Sequence, residues 1–522
     1  MPRTSLYADP AGRFLHGVIL EACQRFGPRT AILDASCGRR FSYAEYGGLV
    51  ETLARGLVAA GLKPGEVIAI FLANSWEFCA VYHATTLAGA IPTLLNPSYR
   101  EREVRYQLEN SGAVLLVTDA PLIHDINLTG LASLRGVYTT RQPAPETTAF
   151  ADLLRPVRTP LPTPQQSSDQ VLAALPYSSG TTGLPKGVML SHYNLVANLY
   201  QIIGPNAAPI AHDDVMLCFL PLYHIYGLNV GLNPILAQGG TLVLMPRFQV
   251  AQLLTLLRDQ AITCMPTVPP ALNALAQAAE AGQFPQDNRV RWVKSGAAPL
   301  PPELARRFTS LTGIPVCQGY GMTEASPVTH LSYLEPELHN LESVGQPVAQ
   351  TDCRVLDVND KEVAAGEPGE LVMRGPQFML GYWRDLQATS AALREGWYWS
   401  GDVVRRDPQD FYYVLDRRKE MIKYKGFPVA PAEVEAVLME HPAVRDCGVV
   451  ARPDAAAGEV PCAFVVLREG SVPSDKMKAE LCAFVGDRLT NYKQPREIHF
   501  VDALPRTPSG KILRRELKNA LG

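Results

Sequence analysis

One stretch of the chain, residues 177–187, combines residue types suited to binding phosphate. It reads YSSGTTGLPKG. Hydroxyl groups and glycines allow a loop to turn its backbone N–H groups toward phosphate oxygens, and Lys186 adds a positive charge. In the nucleotide loop G-x-x-x-x-G-K-[ST] a hydroxyl residue after the lysine supplies a magnesium ligand, but here Gly187 stands in its place. The stretch therefore predicts a phosphate loop of a different kind. The alternative is a flexible Gly/Ser/Thr linker.

A second motif, residues 318–324, reads QGYGMTE and places an aromatic ring between two glycines. A ring held on a glycine turn can stack on a purine base, and Glu324 is a hard oxygen ligand suited to magnesium. On its own, a Gly-Tyr-Gly sequence is also a common structural bend. Together with the phosphate loop, it favours a site for a nucleotide and its metal ion.

Three further charged residues extend this chemistry. Asp402 follows an aromatic run and can accept hydrogen bonds from ribose hydroxyls, and Arg417 can pair with a carboxylate or with a nucleotide. Each is also compatible with an ordinary surface turn. Lys511 stands just before an expected helix at residues 512–520, where the helix dipole disfavours a cation. Its position therefore calls for a negatively charged partner.

The chain around these motifs predicts an α/β fold in which strands alternate with helices. We expect Ser42 and Ser98 to begin two of the helices and Gly112 to end the second. Stretches expected to form strands, separated by helical stretches, occur at residues 31–34, 67–72, 90–92, 114–117, 241–244 and 291–294. The run at 67–72 is apolar throughout, which suits a strand buried on both faces. The pattern indicates two wound sheets.

Two later regions differ in character. Residues 341–415 carry Gly, Pro and Asp between short apolar runs, which is typical of antiparallel β structure. The last hundred residues alternate helices and strands in a small unit, and a charged segment precedes them. We expect a large N-terminal domain of two wound sheets plus an antiparallel β segment, residues 1–415, and a small mobile α+β C-terminal domain, residues 416–522.

Composition excludes several classes of protein. A chain of 522 residues with 47% hydrophobic and 19% charged residues is expected to be a globular protein with more than one domain. A net charge of -3 and the absence of a basic run argue against a nucleic-acid partner. Ten cysteines without a C-x-x-C pair favour reduced thiols in a cytoplasmic protein over disulfides or a zinc site. Residues 215–246 carry no charge, and we expect buried strands and loops there rather than a membrane span.

Taken together and in this order, the motifs resemble the adenylate-forming superfamily of acyl-CoA synthetases, luciferases and peptide-synthetase adenylation domains. The motif sequences are most similar to those of the 4-coumarate:CoA ligase and acyl-CoA synthetase branch. The similarity lies in PLYHIYGLN at residues 221–229, KSGAAPL at 294–300 and KYKGF at 423–427. The resemblance covers nearly the whole chain. It implies that a carboxylic acid attacks the α-phosphate of Mg²⁺-ATP, that pyrophosphate leaves, and that the thiol of coenzyme A then cleaves the acyl-adenylate.

The resemblance also implies roles for individual residues in the first step. Lys511 would neutralise charge at the α-phosphate, Glu324 would hold the magnesium ion, and His224 and Thr323 would act beside the reacting groups. Tyr320 would contact the adenine. The nucleotide would be held by Ser178, Ser179, Gly180, Thr181, Thr182, Gly183, Lys186, Ala297, Gln318, Gly319, Tyr320, Gly321, Met322, Thr323, Asp402, Arg417 and Lys511. In an unknown protein, a histidine such as His224 is more often a buried structural residue.

The acid pocket follows from the same resemblance. Asn229 and Lys294 would meet a phenolic hydroxyl at its far end; the alternative is that Lys294 points to solvent and the pocket takes an aliphatic tail. The residues implied to line the pocket are Ile225, Tyr226, Asn229, Lys294, Gly296, Ala297, Gly319, Gly321, Pro327 and Val328. Thr329 replaces a residue that is usually apolar in the family, which bears on the size and polarity of the acid.

The second step requires the small domain to turn about a hinge, because Lys511 and the entering thiol cannot occupy one place. The resemblance places the hinge at Lys419 and assigns Lys423, Lys425 and Gly426 to coenzyme A and thioester formation. Pro428 stands where plant ligases of this type have glutamine, so the handling of coenzyme A is open to change.

These observations predict an ATP-dependent acid:CoA ligase that favours a 4-coumarate-like aryl acid. One rival is a medium- or long-chain fatty acid:CoA ligase, and a different acceptor, as in luciferase or carrier-protein loading, is a weaker one. A rival of another class is a nucleotide-binding protein that has lost catalysis. The retained charges of Lys186, Glu324 and Lys511 argue against that last reading.

Overall fold

The computed structural model describes residues 9–178, 184–203, 210–335, 339–425, 427–454, 457–507 and 510–521, with Pro428 described by its backbone alone. The α-helices of these residues span Leu15–Phe26, Tyr43–Ala59, Trp76–Leu87, Glu101–Ser111, Ala120–Ile123, His192–Ile203, Asn233–Gln238, Val250–Asp259, Pro269–Glu280, Pro302–Thr312, Leu386–Ala392, Pro431–Met439, Asp475–Gly486 and Arg514–Asn519. The described strands form five sheets. This mixed architecture confirms the predicted fold class.

The largest sheet is mainly parallel. Its strands, in order across the sheet, are Gln346–Pro347, Val328–Leu331, Val316–Gly321, Trp292–Ser295, Cys264–Thr267, Val215–Cys218, Thr241–Leu244, Thr30–Asp34 and Arg39–Ser42. The strands Cys264–Thr267 and Trp292–Ser295 are buried throughout, as expected for parallel strands covered on both faces. The strand Thr30–Asp34 joins this sheet beside Thr241–Leu244, a pairing that spacing along the chain did not predict.

A second sheet is entirely parallel, with the order Ile91–Leu94, Val67–Phe71, Leu115–Thr118, Gly136–Thr139 and Thr148–Ala149. Its apolar strands and crossover helices confirm the second wound sheet. Ser42 caps its helix through a capping box with Glu45, and Gly112 ends another helix in the left-handed conformation, as predicted. The prediction for Ser98 is wrong: that helix begins at Glu101, because the Ser98 backbone N–H is bonded to the Asn96 side chain in a turn before it.

The uncharged region at residues 215–246 also differs from its prediction. Besides the strands Val215–Cys218 and Thr241–Leu244, it contains a π-helix, Gly227–Leu232, followed by the α-helix Asn233–Gln238. Every residue of the π-helix is buried. A helix that is buried on all sides has no polar face, so its sequence does not show the helical alternation of apolar and polar residues.

Residues 341–415 form antiparallel β structure, as predicted, with one helix. The strands of this sheet are Asp352–Leu356, Pro368–Arg374, Leu393–Arg394, Trp397–Arg406 and Tyr412–Arg417. A smaller antiparallel sheet joins Gly381–Tyr382, Lys186–Ser191, Leu172–Ala174 and Tyr177–Ser178. It brings the phosphate-loop stretch next to a segment that comes much later in the chain.

The C-terminal residues form a separate α+β layer. Its strands are Ile422–Tyr424, Phe427–Val429, Val444–Asp454, Gly458–Leu467 and Glu497–Phe500, and the helices Pro431–Met439 and Asp475–Gly486 belong to the same unit. A hydrophobic core cluster of its own runs from Ile422 to Phe500, and the main cluster ends at Val414. The strand Tyr412–Arg417 crosses the predicted boundary at 415/416.

A chain of buried polar groups crosses the N-terminal core and contains a neutral histidine. The Tyr46 hydroxyl lies 2.6 Å from His83 Nδ1, and His83 Nε2 lies 3.0 Å from Asn233 Oδ1. The Asn233 amide then donates to Asn229 Oδ1 at 2.8 Å. Burial lowers the pKa of His83 to about 4, although the bond to Asn233 opposes this shift. Burial likewise lowers the pKa of His330 to about 3.

These histidines predict loss of stability in mild acid. A histidine in the unfolded chain takes up a proton below about pH 6.5, whereas the folded protein keeps His83 neutral down to about pH 4. The stabilisation is complete above pH ~6.5 and falls by up to ~1.4 kcal/mol per pH unit and histidine as the pH decreases. The urea midpoint should therefore drop between these pH values. His83→Gln should weaken that dependence, and the same change at exposed His124 should not; an unchanged slope in His83→Gln would contradict the assignment.

Candidate active site

The residues predicted to hold the nucleoside lie together at a strand end and a hairpin. Tyr320 is on the strand Val316–Gly321, and its hydroxyl donates a hydrogen bond to Asp402 Oδ2. Asp402 and Arg417 are opposite each other on paired antiparallel strands, with Arg417 Nε 3.3 Å from Asp402 Oδ1. Asp402 is 5% exposed. The structure therefore gathers an aromatic ring, a buried carboxylate and a guanidinium from three separate motifs.

The Tyr320 ring is supported from behind by His330, which sequence reasoning missed. The two residues are cross-strand partners, and their ring centroids lie 5.7 Å apart. His330 in turn lies 4.5 Å from the ring of Tyr412, and its Nδ1 lies 3.0 Å from the Thr329 hydroxyl. That hydroxyl also bonds the Tyr320 carbonyl oxygen at 3.3 Å. The polar group of Thr329 is thus satisfied within the strand pair.

The rest of the QGYGMTE motif forms a tight turn. The Gln318 amide donates to two backbone carbonyls of the following loop, and the Met322 N–H donates to the Pro327 carbonyl at 2.9 Å. Thr323 begins a 3-10 turn. A Cβ at Gly321 would lie 2.0 Å from the Pro327 oxygen, so only glycine fits this close approach.

The predicted magnesium ligand and the predicted phosphate lysine meet at one tyrosine. Glu324 is 7% exposed, and its Oε1 accepts a hydrogen bond from the Tyr382 hydroxyl at 2.9 Å. Lys186 Nζ lies 5.2 Å from the centroid of the same ring and 3.6 Å from Asp385 Oδ2. Sequence reasoning missed both Tyr382 and Asp385; they belong to the smaller antiparallel sheet and the helix N-cap after it, and no local motif marks them.

The described ends of the phosphate loop are tied to one helix. Ser178 pairs with Lys186 across antiparallel strands. The Tyr177 hydroxyl donates to Asn110 Oδ1 at 2.6 Å, and the Tyr106 hydroxyl donates to the Pro185 carbonyl at 2.9 Å. The other predicted loop residues, Ser179, Gly180, Thr181, Thr182 and Gly183, lie outside the described residues.

Lys511 lies within the electrostatic reach of the nucleoside residues although it comes from the C-terminal end. Burial lowers the pKa of Lys511, Arg417 lowers it further, and Glu420 and Asp402 oppose both effects. The adjacent Gly510 packs on the N-terminal unit, since a Cβ there would lie 3.1 Å from the Pro270 ring. Glu420 and Asp402 are thus the negative groups that favour the charged form of Lys511.

The residues predicted for coenzyme A occupy a different position. Lys423 is exposed, and its backbone N–H donates to Glu459 at 2.8 Å. Lys425 and Lys419 are also exposed, and Gly426 lies outside the described residues. The structure thus brings the charge of Lys511 near those of Asp402 and Arg417 and leaves Lys423 exposed, which agrees with the arrangement that the resemblance implies for the first step.

The predicted acid pocket is built around Tyr226. Its hydroxyl donates to the Lys294 carbonyl at 2.9 Å, and a Cβ at Gly296 would lie 3.0 Å from its ring. Ile225, Tyr226 and Val328 are buried, Gly319 packs under Leu331, and Ala297 has a positive φ of 67°. Glycine at position 296 therefore makes room for the tyrosine ring beside the strand end.

The two polar residues of the pocket behave differently. The Asn229 amide donates to the Ser326 and Leu195 carbonyls, and its oxygen accepts from Asn233, so Asn229 is already bonded to protein groups. Lys294 is only 3% exposed, which shows that the solvent-facing alternative is wrong. Burial lowers the pKa of Lys294, and its Nζ lies 5.4 Å from the Trp292 ring. Within the described residues, no carboxylate forms an ion pair with it.

His224 precedes the π-helix that carries part of this pocket. Burial lowers its pKa to about 4, so the ring is neutral at pH 7. Its Nδ1 accepts a hydrogen bond from the Tyr226 backbone N–H at 3.2 Å, which sets the ring orientation. A neutral imidazole in a fixed orientation fits both the structural reading and the one implied by the resemblance.

A further cluster lies in the C-terminal layer, away from any predicted motif. The ligand atoms of Cys462, Glu497 and His499 all lie within 4.8 Å of one another on two parallel strands. Sequence spacing did not predict this group, because the strand pairing creates it. Arg452 Nε already lies 2.7 Å from Glu497 Oε2, and burial raises the pKa of the Cys462 thiol to about 12. The carboxylate is therefore engaged and the thiol protonated.

None of the described helices combines the length and the apolar character needed to cross a bilayer.

Comparison with known proteins gives full-length matches. A 4-coumarate–CoA ligase from Vanilla planifolia is 37% identical, over 97% of this chain and 93% of the relative, and 4-coumarate–CoA ligase 3 from Arabidopsis thaliana is 37% identical, over 97% and 91%. Among solved structures, the anthranilate CoA ligase AuaEII in complex with anthranoyl-AMP has a TM-score of 0.87 at 26% identity, covering 99% of this chain and 97% of that one. ATP-bound MatB from Rhodopseudomonas palustris has a TM-score of 0.86 at 28% identity, with 96% and 98% covered.

Two family models together cover most of the chain. Residues 19–383 match the AMP-binding enzyme model, and residues 433–511 match the model of the AMP-binding enzyme C-terminal domain. Both models contain residues that the structure gathers at one site, Tyr320 in the first and Lys511 in the second. The chain belongs to the AMP-binding enzyme family.

Proposed function

We propose that this enzyme is an ATP-dependent acid:CoA ligase that favours an aryl acid of the 4-coumarate type. It forms an acyl-adenylate with release of pyrophosphate and then a coenzyme A thioester with release of AMP. The observation that carries this proposal is the convergence of Tyr320, Asp402, Arg417 and Lys511. The names of the full-length relatives support the same reaction and acid class.

In the first step, the nucleoside residues bind ATP before any bond changes. Asp402 is buried, and its carboxylate oxygens can accept hydrogen bonds from ribose hydroxyls, while Arg417 limits the rotation of the carboxylate. The Tyr320 ring, backed by His330, offers a flat surface to the adenine. Lys511 then stabilises the negative charge that develops between the acid and the α-phosphate, and Lys186 attracts the leaving pyrophosphate.

The carboxylate of Glu324 fits a magnesium ion. Only Oε1 has a hydrogen-bond partner in the part of the chain that the structure describes, which leaves Oε2 free to bind a hard cation. A magnesium ion there would neutralise phosphate charge during pyrophosphate release.

For the second step, we propose that the C-terminal domain, from residue 416, turns about a hinge at Lys419 and brings Lys423 to the site. The separate hydrophobic clusters on the two sides of this segment support such a rigid-body motion. Exposed Lys423 is free of ion pairs among the described residues and can move without breaking one.

The proposal is tested by measuring pyrophosphate and AMP release with 4-coumarate, cinnamate, benzoate, octanoate and palmitate, with and without coenzyme A. We expect acid-dependent pyrophosphate release, fastest with 4-coumarate, and AMP turnover that requires coenzyme A. A preference for octanoate or palmitate would establish the fatty-acid alternative. No pyrophosphate with any acid would favour a silent nucleotide-binding protein, and adenylate without thioester would point to another acceptor.

The burial of Lys294 predicts that the enzyme distinguishes acids with a hydroxyl group at the far end from acids without one. Because Lys294 is buried without a carboxylate partner, a phenolic oxygen of the substrate would satisfy its amine. In Lys294→Met, kcat/KM for 4-coumarate should fall about 10- to 100-fold, the effect of one lost buried hydrogen bond, while the value for cinnamate should change little. Exposed Lys361→Met is the matched control. Equal losses for both acids would show that Lys294 does not contact the hydroxyl.

A further inference from the structure

Tyr382 contacts both of the charged groups that the proposed function places at the phosphates. Its hydroxyl donates to Glu324 Oε1 at 2.9 Å, and Lys186 Nζ lies 5.2 Å from its ring centroid, within the usual range of a cation–π contact. Glu324 and Lys186 come from distant parts of the chain. A single side chain therefore lies between a predicted metal ligand and a predicted phosphate ligand.

The backbone around Tyr382 is bonded to both of those segments. Met379 N–H donates to the Glu324 carbonyl at 2.8 Å, and Trp383 N–H donates to the Gly187 carbonyl at 2.8 Å. Tyr382 itself pairs with Val188 in the small antiparallel sheet, and its N–H donates to the Thr389 hydroxyl at 2.8 Å. The ring is thus carried by a segment that connects the end of the phosphate loop to the Glu324 turn.

The hydroxyl of Tyr382 is the donor in its hydrogen bond with Glu324, because a carboxylate oxygen can only accept. Its hydrogen bond holds one oxygen of Glu324 and leaves the other available. A charge-assisted bond of this kind fixes the orientation of the carboxylate more strongly than a neutral one.

Lys186 contacts both Asp385 and the Tyr382 ring, and the contact with Asp385 is a weak one. Its ion pair with Asp385 is 3.6 Å long, and both side chains are more than a third exposed, so the pair contributes little to stability. Tyr382 lies on a strand of the small antiparallel sheet, and its hydroxyl is bonded to Glu324. The Lys186 amine can therefore exchange Asp385 for a phosphate group while it keeps its contact with the ring.

We propose that Tyr382 is a positioning residue of the adenylation step, whose hydroxyl orients Glu324 toward the magnesium ion and whose ring guides Lys186 toward the departing phosphates. This inference rests on the proposed function. The Tyr382 side chain would then link the metal ligand Glu324 to Lys186 at the end of the phosphate loop and hold these two groups in a fixed relative position.

The test compares Tyr382→Phe, which keeps the ring, with Tyr382→Leu, which removes ring and hydroxyl; half-buried Tyr193→Phe is the control. Single-turnover pyrophosphate release should fall about tenfold or more in Tyr382→Phe, the effect of one lost hydrogen bond to a charged group, with a higher magnesium concentration at half-saturation. Tyr382→Leu should in addition raise KM for ATP. Thioester formation from supplied acyl-adenylate should stay near the wild-type rate in both variants.

Calorimetry of ATP binding supplies a readout that does not depend on turnover. In wild type, magnesium should strengthen ATP binding, and in Tyr382→Phe that gain should shrink. An unchanged magnesium dependence of both binding and rate in Tyr382→Phe would overturn the proposal, as would an equal loss in the thioester step. If wild type releases no pyrophosphate with any acid yet the calorimetric difference is present, the proposed function fails and the positioning role at a nucleotide site stands.

Discussion

Lys511→Ala should lower the rate of acyl-adenylate formation by about 10²- to 10³-fold, the usual effect of removing one preorganised electrostatic group from an active site. Thioester formation from supplied acyl-adenylate should remain close to the wild-type rate. Lys511 belongs to the C-terminal layer, and its charge interacts with those of Arg417, Glu420 and Asp402. Its charge is held there by the packing of Gly510 on Pro270, so alanine removes the charge without disturbing a core.

The two half-reactions are measured separately, as pyrophosphate release in a single turnover and as thioester formation from synthetic adenylate. Lys518→Ala, which changes an exposed lysine of the helix that follows Lys511, is the control and should leave both rates unchanged. Equal losses in the two steps of Lys511→Ala would show that the C-terminal domain does not exchange Lys511 for another group between the steps.

The chemistry of the candidate nucleotide site could be predicted from short motifs taken together. Tyr320, Glu324, Asp402 and Lys511 were predicted from these motifs and from the resemblance that they carry. The structure bonds Tyr320 to Asp402 and Glu324 to Tyr382, and it brings the charge of Lys511 near that of Asp402. The capping of a helix by Ser42 was predictable for the same reason, since the bond partner lies three residues away.

The supporting residues could not be predicted because strand pairing alone brings them to the site. His330 becomes the neighbour of Tyr320 through an antiparallel register, and Tyr382 reaches Lys186 and Glu324 through a short sheet formed by distant segments. Neither residue lies in a motif whose composition indicates nucleotide chemistry. The orientation of the C-terminal layer was equally hidden, because it depends on contacts such as that of Gly510 with Pro270.

In the acid pocket, the sequence alone could not decide whether the Lys294 side chain is buried. The sequence left two readings of Lys294 open, because a lysine on an apolar strand can bury its stem and expose its amine. Burial of the whole side chain beside Trp292 decides between them, and the hydrogen bonds of Asn229 show that this amide already serves the core. The burial of Lys294 therefore supports the prediction of an aryl acid more strongly than the sequence motif does.

Asp402→Asn should raise KM for ATP by about 100-fold or more, because each hydrogen bond from a ribose hydroxyl to a charged carboxylate contributes about 1.5–3 kcal/mol. The carboxylate serves two protein groups at once: the buried Tyr320 hydroxyl donates to one oxygen, and Arg417 Nε lies 3.3 Å from the other. Burial and the charge of Asp402 raise the pKa of Tyr320, so this hydroxyl is always a donor and requires an acceptor. An amide in place of the carboxylate can serve only one of these two donors.

The same substitution separates nucleotide binding from folding. Thermal unfolding without ATP should show a modest loss of stability in Asp402→Asn, whereas the stabilisation that ATP adds to wild type should be nearly absent. Asp410→Asn, a change on the exposed tip of the same hairpin, is the matched control and should keep both. If Asp402→Asn retained a KM for ATP within about threefold of wild type, less than a tenth of the loss expected for a charged contact, Asp402 would be a structural partner of Arg417 and Tyr320 and would not bind the ribose.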